Sequence, residues 1–156
     1  MFDAPVDGWY AWLGVAAASA ALFGVAAGLP TAPPPDAAGV ADTVDRTATA
    51  EFDATAEHPL DAAAVELTPR SVGLRNDAGT THARFVYGPV TPVVEGTPLW
   101  RVLAGVPPDR AFESDRAFRR AVERARRRAA RWRPVDGPLL VRHLALEGQD
   151  VTLVGA

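Results

Sequence analysis

Cysteine, lysine and isoleucine do not occur in this chain of 156 residues, and asparagine and glutamine occur once each. Without cysteine there is no disulfide scaffold, no thiol nucleophile and no thiolate metal site, so any folded domain stands on packing alone. All sixteen basic residues are arginines. Together with the abundance of Ala, Gly, Pro and Val, this is what the genetic code writes in a GC-rich genome, so arginine usage is not by itself a sign of nucleic-acid recognition. Positive charge is also missing locally: no basic residue precedes Arg46.

What is present begins with a run of twenty-one residues without a charge, residues 9–29, opened by Trp9 and Tyr10 and followed by Pro30. At the helical rise it covers about 30 Å, the thickness of a bilayer's hydrocarbon core, and it predicts a single transmembrane helix. Trp9, Tyr10 and Trp12 cluster at one end, as rings at a membrane interface do. A cleavable signal peptide is the competing reading, because Val25-Ala26-Ala27 offers a small-x-small site before Gly28. Against it, residues 1–8 carry two aspartates and no basic residue, and the apolar stretch exceeds a signal peptide's usual length. The expectation is therefore an uncleaved anchor, a single-pass protein of the cell membrane, with the short tail inside and the rest of the chain outside. Ala20, Gly24 and Gly28, extended by Ala16, form a small-residue row of the kind that lets another membrane helix approach closely.

Four segments follow from this: a tail at 1–8, the transmembrane helix at 9–29, a Pro/Ala-rich spacer at 30–41, and a soluble domain at 42–156. The spacer opens with four prolines in six positions, which favours a stiff extended chain. The 115 residues left over allow one modest core and no second domain. Residues 47–55 alternate polar with Ala48, Ala50, Phe52 and Ala54, the period of a half-buried strand. Residues 64–68 and 71–75 read as strand on either side of Pro69. Asn76 to Gly79 is a turn, from which residues 80–87 return with Ala83, Phe85 and Tyr87 on one face, a hairpin signal. Residues 99–103 suggest a short helical turn ended at Pro107 and Pro108. Ser114 is a candidate N-cap of one long helix in which Phe118, Val122, Ala125, Ala129 and Trp132 make an apolar seam, stopped by Pro134. Pairs Asp115/Arg119 and Glu123/Arg127 lie at favourable helical spacing. Residues 139–146 and 151–154 read as a second hairpin. The expected fold is α+β, an antiparallel sheet packed by one long Arg-rich amphipathic helix.

Charge is unevenly spread. Residues 113–133 hold nine arginines against three acids, whereas residues 1–112 sum to −7. Arg116, Arg120, Arg124, Arg127 and Arg131 form the candidate interaction face. A solvated face that compensates the acidic remainder is the plainer reading. The functional reading is a dock for acidic protein, nucleic acid or anionic lipid. Nucleic acid fits least, because net charge is −3 and no aromatic set is interleaved with the arginines.

The catalytic inventory is thin. His58, His82 and His143 fall in different elements without metal-ligand spacing, and Ser19, Ser71 and Ser114 lie in no nucleophile motif. The glycine turns lack the helix start of a phosphate cradle. No catalytic residue, metal or cofactor is expected, and the chain reads as non-enzymatic.

The stretches LPTAPPPDAAGVADTVD (29–45), TAEHPL (55–60), LRNDAGTTHARFVYGPVTPV (74–93) and DVTLV (150–154) resemble those of an uncharacterised family of haloarchaeal single-span membrane proteins. The resemblance covers most of the chain and is weakest in the arginine-rich helix. It implies a context of pilin-like proteins and secretion ATPase and membrane-platform components of type IV pilus-like systems. The chain departs from a pilin in lacking a basic residue before the apolar run and an acidic residue near its start. The expected role is a membrane-anchored accessory component of a pilus-like or secretion assembly, with bilayer and secretion-platform or pilin-like proteins as partners. A free-standing surface domain that binds a ligand or lipid is the alternative, and an enzyme of unknown type the third.

Overall fold

The computed structural model describes residues 7–27, 33–146 and 149–156. The chain divides into two units, residues 1–33 and 34–156.

The uncharged run of the first unit folds as helix α1, Asp7–Ala27. Yet no helix among the described residues is long and apolar enough to cross a membrane, which overturns the expected transmembrane helix over 9–29. The single-pass cell-membrane placement inferred from it falls as well. Lack of charge is not the same as apolarity. Of residues 12–24 in its middle, five are Ala, two are Gly and one is Ser, side chains that add little apolar surface. The large side chains of this stretch are exposed, Trp12 and Phe23 each at 76%.

In the second unit, helix α2 spans Ala37–Ala48, and its start is set by Asp36, whose carboxylate accepts from the Gly39 amide at 2.9 Å. Two four-stranded sheets follow. The first runs β1 (Ala54–His58), β7 (Leu139–Leu146), β8 (Gln149–Gly155) and β5 (Thr91–Pro92), antiparallel except for the parallel β5/β8 pair. The second is an antiparallel arrangement of β4 (Gly79–Arg84), β3 (Ser71–Asn76), β2 (Ala64–Leu67) and β6 (Arg133–Pro134). Three further helices complete the unit: α3 (Pro98–Leu103), α4 (Pro108–Ala111) and α5 (Asp115–Arg126).

Alternation along β7 divides the interior in two. Leu139 and Val141 join Val40, Ala41 and Val44 of α2 and Val65, Val72 and Leu74 of the second sheet in one core. Leu144, with Val151 and Leu153 of β8, points the other way and packs against Leu99, Val102 and Leu103 of α3 and Phe118, Val122 and Ala125 of α5. The first sheet is thus covered on both faces, which its apolar runs require.

Several expectations hold locally. The β3/β4 hairpin turns at Asp77-Ala78, with Gly79 at a φ of 148° that only glycine adopts freely. The β7/β8 hairpin and the α3 turn also form. Ser114 caps α5 by accepting from the Ala117 amide at 3.2 Å.

Three features differ from the single sheet under one long helix. The spacer ends at Asp36, because Ala37, Val40, Ala41 and Val44 make a helical stripe that the core takes up. The strand expected over 47–55 starts only at Ala54, its first residues being the last turn of α2. The long helix ends at Arg126, leaving Ala129 exposed, because Trp132 is drawn onto the outer face of the second sheet. There it lies 4.8 Å under the Arg75 guanidinium and edge-on to His82 at 5.9 Å, above Gly73, where a Cβ would sit 3.1 Å from the indole.

Candidate functional site

Because α5 turns Phe118, Val122 and Ala125 inward, residues between them are turned outward. Arg116, Arg120 and Arg124 are exposed on the helix, Arg127 is its exposed C-cap, and Arg131 is exposed in the irregular segment beyond it. The first four therefore share one helical flank, while Arg131 is carried away by the early end of α5. Among the described residues only one of the five is ion-paired, Arg127 to Glu123 at 3.1 Å. The expected Asp115–Arg119 pair is not formed. Such exposed pairs contribute about 0–1 kcal/mol, so the row is held open by the buried seam and not by its charges.

Arg126 behaves differently. It is half-buried, its Nε donates to Thr91 Oγ1 at 3.0 Å, and burial lowers its guanidinium pKa, with the Glu123 charge opposing. It staples the end of α5 to β5.

Sequence reasoning missed Arg128 and Arg133. With Arg124 and Arg131 they stand along two adjoining concavities between the C-terminal half of α5 and residues 92–94. Arg128 is common to both. The signal for Arg133 was strand pairing with Val65, which no local pattern announces.

The three histidines do not converge. His58 Nδ1 meets Thr43 Oγ1 at 2.9 Å, His143 is buried with Nδ1 3.1 Å from Thr152 Oγ1, and His82 is exposed on the other sheet. The β1/β7 register sets Ala54, not His58, opposite His143. Among the described residues no group of His, Asp and Glu is arranged to hold a metal ion. Ser114 is engaged as a helix cap, Ser71 Oγ lies 2.8 Å from Thr68 Oγ1, and Ser19 is exposed on α1. Among the described residues none has a basic partner that would make it a nucleophile.

Of the small-residue row, Ala20 and Gly24 are exposed on α1, and a Cβ at Gly24 would meet nothing within 4 Å. Gly28 lies outside the described residues.

Residues 3–144 match the model of a family described as being of unknown function (DUF7283). No curated protein and no solved structure matches the chain.

Proposed function

Because the chain belongs to this family of unknown function, its role has to be read from its own surface, and we propose a non-enzymatic interaction module that serves as an accessory component of a pilus-like or secretion assembly. The observation that carries the reading is the row Arg116, Arg120, Arg124 and Arg127, exposed on a rigid helix and with a single internal carboxylate partner among the described residues. Planar guanidinium groups held this way favour bidentate contacts to carboxylates of a protein partner, and such contacts outlast the screening that removes diffuse attraction to polyanions. The exposed Ala20 and Gly24 on α1 add a flank that a partner helix can approach closely.

Crosslinking in intact cells tests this directly. Arg116→Glu, Arg120→Glu and Arg127→Glu together, and separately Gly24→Leu, are expected to lower recovery of secretion or pilin-like subunits, while leaving the amount of protein unchanged. Each exposed charge contact is worth about 0.2–1 kcal/mol, so three reversals should weaken a partner by about tenfold or more. Unaltered recovery in both variants would return the arginine face to a solvated surface.

A further inference from the structure

The outward row is not where the arginines meet apolar surface. That happens one side of the helix further on, where α5 faces the segment after β5. Val93 and Ala125 are buried and Val94 half-buried in the floor shared by the two adjoining concavities. Arg124, Arg128, Arg131 and Arg133 stand along the rim, and among the described residues no acidic one lines either concavity. None of the four is ion-paired among the described residues. The amide N–H groups of Ala129, Ala130 and Arg131, beside the same rim, donate to no acceptor among the described residues. Donors therefore crowd a groove whose bottom is apolar.

The dimensions select the occupant. The two hollows hold about 160 and 30 Å³, below the few hundred Å³ that enclose a small organic ligand. They suit single side chains offered one after another. A polyanion would use the rim and waste the floor, and a flat surface would reach neither hollow. A peptide whose carboxylates flank apolar side chains matches both the donors and the floor, in the manner of acidic-motif recognition by arginine clusters.

We propose that this groove is the docking site for an acidic segment, interrupted by apolar residues, of a protein partner. The proposal rests on the reading of the arginine-rich face as a protein-binding surface and adds to the outward row a groove that takes one separate segment of the partner.

The test uses the full-length chain and a fluorescein-labelled peptide of alternating Glu-Leu and Asp-Phe pairs, read by fluorescence anisotropy. Arg128→Glu with Arg131→Glu should weaken binding by about tenfold or more. Ala129→Trp, which fills the groove from an exposed position without changing charge, should weaken it comparably, and circular dichroism establishes that each variant is folded. Arg116→Glu with Arg120→Glu should leave it within about twofold. Replacing Leu and Phe of the probe by Ser should abolish binding, and phosphatidylglycerol vesicles should not compete. Equal loss in the outward variant, equal binding of the Ser peptide, no binding of the probe, or competition by the vesicles would each overturn the groove. The same variants crosslinked in cells separate the two claims. If the outward reversals lose partners and the groove variants do not, the interaction module stands and the groove fails; if neither loses partners, both fail.

Discussion

Phe118 and Trp132 occupy the same apolar seam in the sequence, yet they do different things. Phe118 is 2% exposed and packs edge-on against Phe112 at 5.4 Å under α5. Trp132 is half-buried on the far sheet, held by a cation–π contact with Arg75 and the ring of His82. Phe118→Ala should cost about 3–5 kcal/mol. Trp132→Ala should cost only about 1–2 kcal/mol, the sum of two exposed ring contacts. Denaturant midpoints compare them, and equal losses would contradict the assignment of Trp132 to a surface contact. Gly155 offers a third residue-scale check, since a Cβ there would lie 2.8 Å from Trp100 and 2.9 Å from Leu103. Both neighbours belong to the packed α3, so Gly155→Ala should destabilise by about 1–3 kcal/mol, again read from the midpoint. An unchanged midpoint would mean that α3 yields. Periodicity named the seam correctly as far as Ala125; where the helix stops depends on a site across the chain, at Gly73, which no local pattern carries.

At the scale of elements, α2 shows what sequence reading misses and why. Its apolar stripe is built of Ala37, Val40, Ala41 and Val44, small side chains that follow a proline run and make a weak helical signal. The alternation of Thr and Ala at its end mimics a strand. By contrast, the β3/β4 and β7/β8 hairpins were legible because turn chemistry and strand alternation are both local. The split into two sheets was not, since β5 pairs with β8 and β2 with β6 over long separations. Helix α2 also fixes a loop: the Asp45 carboxylate accepts from the amides of Val86 and Tyr87 at 3.0 Å. Asp45→Ala should therefore cost about 0.5–1.5 kcal/mol, because the exposed amides of Val86 and Tyr87 then bond water, and hydrogen exchange should speed up at residues 86 and 87 first. Unchanged exchange there would contradict the tether. For the candidate site, the row Arg116, Arg120, Arg124 and Arg127 was readable from spacing, but Arg131 was not part of it because α5 ends early, and the groove beside it depends on residues 92–94, brought there by the β5/β8 pairing.

The whole molecule divides after residue 33, not after 41. A fragment of residues 34–156 should unfold cooperatively, while one of 42–156, which loses Ala37, Val40 and Ala41 from the core, should bind a hydrophobic dye and lack a sharp transition. A cooperative transition in the shorter fragment would reduce α2 to an accessory. Across the chain, a net charge of −3 conceals a strongly basic stretch over 113–133, and this segregation is what makes a directed protein contact distinguishable from general attraction. The most direct measurement compares partner recovery after in-cell crosslinking for two triple reversals of equal charge change. One is Arg116→Glu, Arg120→Glu and Arg127→Glu on α5; the other is Arg70→Glu, Arg84→Glu and Arg110→Glu, exposed elsewhere. Recovery of secretion or pilin-like subunits is expected to fall by about tenfold for the first and to stay near the parent level for the second. Equal recovery from both variants would contradict an interaction module that works through α5.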